Sequence, residues 1–454
     1  MFSRQIEQFP AEFTFGVATS SYQIEGNSFG GCGRSHWDDF AKQPGRTYHQ
    51  QNGAIACDHY HLWPKDLDLV RAAGFDAYRF SFSWPRLLPY NDGEVNPDGL
   101  DFYDRLIDNM LERGLQPHAT LYHWDLPSRH AKQGGWTNRE TAQYFADYTD
   151  LIMRHFGDRL ASVAPVNEPW CVSFLSHYWG HHAPGQKNIE ATARSMHFVQ
   201  LGHGLSAEVI KGHGHQQLGC VLNKEFGVPA DNSEQTAKLT ALFDGIYNRW
   251  FEESLFKGRY PSEVLAVLQP YMPRGYEDDL ALISQPLDWV GVNYYTRSVI
   301  APDSNEPHLG FKCIRGNLKK TDMGWEVAPE GLGFFLERLA KDYAPGLPIY
   351  ITENGMANDD ILSEGQVADT DRSEYFTCHL AEIIKAISNG VDVKGYFAWS
   401  LLDNYEWAFG YDKRFGLVHV DFESQSRTPK QSYYDWQQSL TNFRLHHRNQ
   451  KESK

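Results

Sequence analysis

Two glutamates stand where a carboxylate is costly to bury without a partner or a task. Glu353 ends the stretch Pro348-Ile-Tyr-Ile-Thr-Glu-Asn-Gly355, a β-branched and aromatic run with the composition of a buried strand. Asn354-Gly355 reads as turn chemistry that stops it. Glu168 follows a second short apolar run, Ser162 to Val166, with Asn167 beside it as a donor and Pro169 disfavouring a helix through this point. Singly, each reads as a strand-end carboxylate paired with an arginine or lysine. Together, at the carboxyl ends of two strands, they are the minimum equipment for most glycoside hydrolysis. A retaining mechanism needs one ionised nucleophile and one carboxyl that keeps its proton until the leaving oxygen takes it, the two about 5–5.5 Å apart.

The elements that must position them follow one grammar. Phe13 to Ala18 predicts a first strand. Pro64 fits a first helical position, Leu67, Val70 and Ala73 recur at helical spacing, and Gly74 fits the stop. A strand Ala77 to Phe80 follows. The unit repeats with Phe102, Leu106, Met110 and Gly114, then a strand over Pro117 to Tyr122; and again with Ala142 to Phe156, Gly157 and the strand before Glu168. Leu218 to Leu222 and Trp289 to Asn293 are further apolar runs. A helix over Leu332 to Asp342 precedes the Glu353 strand, and a helix over Arg372 to Ile387, stopped near Gly390, precedes a strand from Gly395 to Trp399. Strands alternating with helices in this way predict an α/β fold: one (β/α)8 TIM barrel domain over residues 1–454, with long βα loops covering its C-terminal face. An open doubly wound sheet fits less well, since no Gly-x-Gly-x-x-Gly or P-loop is present. Beyond Trp436 the chain turns polar and mixed in charge, and its last residues are expected to fray.

A formal net charge of −16 argues against nucleic acid or an anionic membrane as partner. The first residues hold no apolar signal-peptide region, and no run has the length of a membrane span. The 6 cysteines are scattered without a Cys-x-x-Cys pair and read as reduced thiols of a cytoplasmic enzyme. Aromatic residues make up 14% of the chain, including 13 Trp and 24 Tyr, a supply suited to stacking on flat apolar ligand faces. Asp58-His-Tyr-His61 and His181-His182 could suggest a metal, but no cysteine cluster accompanies them and two carboxylates need none; no cofactor is expected. The oligomeric state is not legible.

Other polar and aromatic residues also fall at strand ends: Gln23 after the first, Arg79 in the second, His123 after the third, Asn167 and Glu168 at the fourth, Asn293 and Tyr295 at the sixth, Glu353 at the seventh, and Trp399, Glu406 and Trp407 at or beyond the eighth. In a barrel all would converge on the C-terminal face. Their wording resembles that of the retaining β-glucosidases of glycoside hydrolase family 1. The matching stretches are Ala18-Thr-Ser-Ser-Tyr-Gln-Ile-Glu-Gly26, Tyr78-Arg-Phe-Ser81 with Ser83-Trp84, Tyr122-His-Trp-Asp-Leu-Pro127, Asn167-Glu-Pro-Trp170, Gly291-Val-Asn-Tyr-Tyr295, Ile351-Thr-Glu-Asn-Gly355 and Trp399-Ser-Leu-Leu-Asp-Asn-Tyr-Glu-Trp407. The resemblance runs from about Phe13 to Trp436. It departs at Tyr405, where many relatives have Phe, and at Val166, which could alter the packing behind Glu168.

Chemistry and resemblance assign the same roles. Glu353 is expected as nucleophile, held ionised by Arg79 and Tyr295. Glu168 is expected as acid and then base, its proton held by repulsion from Glu353. Gln23, His123, Asn167 and Glu406 would bond sugar hydroxyls, and Trp399 and Trp407 would form an apolar floor. By resemblance, Asn293 joins the catalytic group and Trp124, Trp325 and Phe415 the walls. The implied substrates are small β-glucosides and cello-oligosaccharides, with galactosyl and fucosyl residues as further candidates. A thioglycosidase would carry Gln in place of Glu168. A 6-phospho-β-glycosidase would lack Glu406, whose charge repels a phosphate, and an inactive sugar-binding relative would have lost a carboxylate. Trp170 and Leu175, on the expected loop after Glu168, should narrow the entrance and make the enzyme glucose-tolerant.

Overall fold

The computed structural model describes residues 3–90, 93–215 and 217–452. Eight parallel strands form its centre: β1 (Thr14–Ala18), β2 (Ala77–Ser81), β3 (Gln116–Tyr122), β4 (Ser162–Val166), β5 (Gly219–Pro229), β6 (Trp289–Pro302), β7 (Ile349–Asn354) and β8 (Val393–Trp399). Each pairs with its neighbours in chain order, and β1 pairs with β8. Parallel bridges from Val163 to Leu218 and from Asn167 to Val221 join β4 to β5 and close the ring.

The strands are buried on both faces, which is why they read as continuous apolar runs. Every residue of β2 and of β4 is buried. Large rings fill the barrel where glycines leave room. A Cβ on Gly16 would lie 2.4 Å from the Phe397 ring, and one on Gly219 would lie 2.2 Å from that of Trp289. Amphipathic helices pack outside, among them Pro97–Glu112 and Arg139–Phe156, each opened by an asparagine side chain that accepts a backbone N–H of the first turn.

Two local expectations need correction and two are extended. The helix after β1 spans His59–Ala73, so Pro64 lies inside it; the stop at Gly74 (φ 87°) is where it was expected. Gly355 does not serve a left-handed turn. A Cβ there would sit 1.9 Å from the Trp399 carbonyl oxygen, so its smallness lets β7 run close beside β8. The polar tail is a helix over Gln431–Glu452, with Trp436 and Leu440 buried; the fraying expected at the very end concerns residues 453–454, which lie outside the described residues. β5 and β6 run beyond the barrel rim and, with the antiparallel strand Phe311–Ile314, build one wall over the top.

The segment after β8 carries Glu406 and Trp407 and is pinned from below by buried charge. Lys430 Nζ donates to Asp403 Oδ1 at 2.6 Å, Arg414 Nη1 to Asp403 Oδ2 at 2.7 Å, and Arg372 Nη2 to Asp360 Oδ2 at 2.6 Å. Among the described residues no helix is long and apolar enough to cross a membrane.

Candidate active site

Glu353, next to last in β7, has both carboxylate oxygens engaged. Arg79 Nη1, from β2 inside the barrel, donates to Oε1 at 2.6 Å, and the Tyr295 hydroxyl donates to Oε2 at 2.6 Å. The rest of the guanidinium is spent on Thr352 O, Thr120 Oγ1 and Asn167 Oδ1, which fixes its plane. Burial of Tyr295, reinforced by the facing Glu353 charge, pushes the phenol well above its ordinary range, so it keeps its proton and donates.

Glu168 follows β4 at φ 50°, and Pro169 starts a helical segment that widens into π turns over Cys171–Trp179. The expected loop after the acid is therefore a helix. Its lower rung faces the cavity through Trp170, Cys171, Leu175 and Trp179, a spacing of about one wide turn. Asn293 Nδ2 donates to Glu168 Oε1 at 2.7 Å, and the Cys171 thiol donates to Oε2 at 3.0 Å.

The two glutamates differ in their donors. Glu353 has a cation and a phenol; Glu168 has an amide and a thiol. Burial raises both carboxyls, but at Glu353 it is opposed first by Arg79 and then by Tyr295. At Glu168 burial comes first, the Glu353 charge adds to it, and the group is pushed up to about 8. Repulsion from Glu353 is thus the second cause of the retained proton, not the first as the sequence suggested.

An amide chain behind the carboxylates settles the protonation of His123. Asn167 Oδ1 accepts from Arg79 at 2.8 Å and from Asn293 at 3.0 Å, so Asn167 Nδ2 must be the donor to His123 Nε2 at 3.1 Å. Burial, aided by Arg79, holds the imidazole well below its ordinary range and keeps it neutral. The ring proton therefore sits on Nδ1, which is buried and has no partner among the described residues. The imidazole as a whole lines the cavity.

The cavity measures about 620 Å³. Of the residues read from the sequence, His123, Trp124, Glu168, Trp170, Leu175, Tyr295, Trp325, Glu353, Trp399, Glu406, Trp407 and Phe415 line it. Arg79, Asn167, Asn293 and Gln23 stand behind that lining. Gln23 Nε2 donates to Asn404 Oδ1 and the Tyr405 carbonyl, both at 2.9 Å, and lies 3.3 Å from Glu406 Oε2; it ties the first strand's loop to the last one's. Glu406 is pushed up to about 8, by burial first and then by Glu353.

Trp407 stacks near-parallel on His123 and on Tyr22, with ring centres 6.2 Å and 5.9 Å away. Trp325 and Phe415 flank Tyr295 at 5.6 Å and 6.1 Å. Trp124, Glu168 and Trp407 all have left-handed φ, at 81°, 50° and 50°. That region costs a bulky residue free energy, and these three line one cavity.

Several lining residues escaped the sequence reading. Asn223, Glu225 and Tyr247 come from the extended β5 and a helix beyond it, and Met323 from a long loop after β6. Trp37 buttresses Trp407 at 4.7 Å from outside the lining. None carries a local signal. Cys171 did carry one, at three residues from Glu168, but it read only as a scattered thiol. Of the histidines weighed as metal ligands, His59 bonds Asp66 and His61 bonds Asp58, while His182 packs against Trp37 and Trp124.

Residues 5–444 match Glycosyl hydrolase family 1. A protein of Thermotoga neapolitana named 1,4-beta-D-glucan glucohydrolase is 42% identical over 442 residues, covering 96% of this chain and 99% of its own. One of Agrobacterium sp. named beta-glucosidase is 45% identical and covers 94% of each. Among solved structures, the family 1 β-glucosidase from Thermotoga maritima superposes with a TM-score of 0.93 at 41% identity, over 96% of this chain and 99% of that one.

Proposed function

The chain belongs to glycosyl hydrolase family 1, and on that premise we propose that it hydrolyses terminal β-D-glucosyl residues with retention of configuration, through a glycosyl-enzyme ester on Glu353. The observation that carries the reading is the unequal donor set of the two glutamates. A guanidinium and a phenol favour the ionised form of Glu353, the form that attacks the anomeric carbon. Glu168, with neutral donors only and its carboxyl pushed up to about 8, holds the proton the leaving oxygen requires.

In the first half-reaction Glu353 displaces the aglycone while Glu168 protonates it. In the second, Glu168 takes a proton from water, which attacks the same carbon and frees Glu353. His123 and Glu406 bond the sugar's hydroxyls, Trp399 and Trp407 lie under its apolar face, and Trp124, Trp325 and Phe415 close the sides. Gln23 and Asn167, also read as donors to sugar hydroxyls, orient Glu406 and His123 through the contacts they make with them, and Asn293 orients Glu168. Glu406, pushed up to about 8, offers an acid and no cation where a 6-phosphate would need one, and both catalytic carboxyl residues are present, which argues against the phospho-glycosidase and inactive alternatives. Cello-oligosaccharides are the natural substrates in this reading, in keeping with the glucan glucohydrolase name of the Thermotoga neapolitana relative. A cytoplasmic location fits the 6 cysteines, all unpaired.

The test is the anomer first released from an aryl β-glucoside, followed by NMR before mutarotation. β-Glucose first is the expected result. α-Glucose first would exclude the ester and the roles built on it.

A further inference from the structure

Cys171 sits one turn after Glu168, and its backbone N–H and thiol both return to that residue: N to the Glu168 carbonyl oxygen at 2.9 Å and Sγ to Oε2 at 3.0 Å. The other oxygen, Oε1, takes the Asn293 amide at 2.7 Å. That amide can only donate, because Asn293 Oδ1 already accepts the Thr352 hydroxyl at 2.6 Å. A donor fixed on Oε1 favours it as the carbonyl oxygen of the neutral acid, so the proton belongs on Oε2, the oxygen the sulfur touches.

A thiol is a weak donor and a weak acceptor. It can turn its hydrogen away while Oε2 carries a proton and turn it back once that proton has left. Burial, with the Glu168 charge next, pushes the thiol well above its ordinary range, so the sulfur stays protonated throughout. Both Cys171 and Glu168 are buried, and among the described residues the thiol is the hydrogen-bond donor recorded on Oε2.

We propose that Cys171 is a positioning residue for proton transfer: its thiol and the Asn293 amide hold the Glu168 carboxyl at opposite oxygens and reserve Oε2 for the proton that moves. The inference rests on Glu168 acting as acid and base. Its consequence is chemical. A donor on Oε2 stabilises the ionised form of Glu168, so a stronger donor should lower the pH at which the acid is lost, and no donor should raise it. The other charged or titratable groups facing this pair are Glu353, Glu406, Arg79, Tyr295, Tyr247 and Glu225. They are the same in every variant compared, so differences between variants report the donor.

The experiment compares Cys171→Thr with Cys171→Val, which match in shape and differ by one hydroxyl, through the pH dependence of kcat/KM on an aryl β-glucoside. The alkaline limb of the Thr variant should lie about one pH unit below that of the Val variant, the size of shift a hydrogen bond to a charged group gives. Poor leaving groups should feel the Val substitution more than activated ones. Coincident limbs, or the reverse order, would overturn the proposal. If either variant fails to fold, Cys171→Ser against Cys171→Ala is the same comparison at smaller volume. Glu168→Ala serves as the control for the underlying reading. It should impair poor leaving groups by about 10²–10⁴-fold and spare activated ones. Equal losses there would sink the acid/base role itself, whereas the expected pattern with coincident Cys171 limbs would sink only the role of the thiol.

Discussion

Replacing Tyr295 by phenylalanine removes one oxygen from the site and leaves its ring in place between Trp325 and Phe415. The lost contact is a half-buried phenol donating to buried Glu353 Oε2 at 2.6 Å. A hydrogen bond to a charged group is worth roughly 1.5–3 kcal/mol, and one pH unit corresponds to about 1.36 kcal/mol, so the ionised form of Glu353 should be weakened by about 1–2 units. The sign follows from which form the donor supports. The phenol favours the carboxylate, so its removal raises the pH below which Glu353 is protonated and unreactive. The acid limb of kcat/KM should therefore move up by about 1–2 pH units. Arg79 remains at 2.6 Å on Oε1, which keeps the nucleophile ionised on the plateau. The alkaline limb reports loss of the Glu168 proton, expected near 8, and should stay put, because above the acid limb Glu353 carries the same charge in both proteins. The assay is kcat/KM on an aryl β-glucoside across the full bell, with thermal unfolding as a check on the fold. An acid limb that does not move, or a loss equal at every pH, would refute the assignment of Tyr295 as the donor that keeps Glu353 charged.

Glu353→Gly should abolish turnover, and azide should restore it with an α-glucosyl azide as product; a variant lacking Glu353 that keeps ordinary activity would end its candidacy as nucleophile. Glu168→Gln should stabilise the protein at neutral pH. The folded state raises this carboxyl from its ordinary 4.5 to about 8, so between those values the native protein holds the extra proton and stability falls as pH rises. The stabilisation by Gln should be absent at pH 4, grow through neutrality to roughly a few kcal/mol, and level off above the folded value; a gain independent of pH would contradict the linkage. At the mouth of the site, the wild type should be weakly inhibited by glucose, and Leu175→Ala and Trp170→Ala should both strengthen that inhibition. Trp170 also stacks on Tyr247 at 4.0 Å, so its loss should cost stability as well, and half-buried Leu175 is the cleaner probe. Equal glucose inhibition constants in all three proteins would reject the entrance argument.

Much of the barrel is legible because each strand and helix is short and its signals are local. Gly74 stops a helix by its own conformation, and Ile349-Tyr-Ile-Thr352 is apolar on both faces because the barrel buries both. The misreadings arise where a residue's reason lies elsewhere in the chain. Gly355 is small because of Trp399, forty-four positions away in sequence and under 2 Å from any side chain it could bear. Pro64 looks like a helix start by local rules, yet the turn preceding it is already held in place by Asp58 and Glu25, whose carbonyls accept its first backbone N–H groups. The tail is polar on the side that faces water, and only Trp436, Leu440 and Phe443, spaced by three and four, betray the side that does not.

The site divides along the same line. Residue types at strand ends are visible in the sequence, and barrel closure supplies their convergence. Donor direction is not visible, and it decides what each glutamate does. Two identical carboxyls diverge because β2 sends a guanidinium to one, while the helix after β4 sends only a thiol to the other. In the proposed catalytic cycle the divergence is also reversible. Once Glu353 is esterified its charge is gone, and with it the second cause of the raised Glu168 carboxyl; Arg79 remains and favours the Glu168 anion. Burial, the first cause, persists through both half-reactions. The fall from acid to base is therefore partial on electrostatics alone, and the donors on Oε1 and Oε2 supply what remains. Under the proposed mechanism Asn293 and Cys171 then act in the second half-reaction, where a base must be made of the group that has just been an acid.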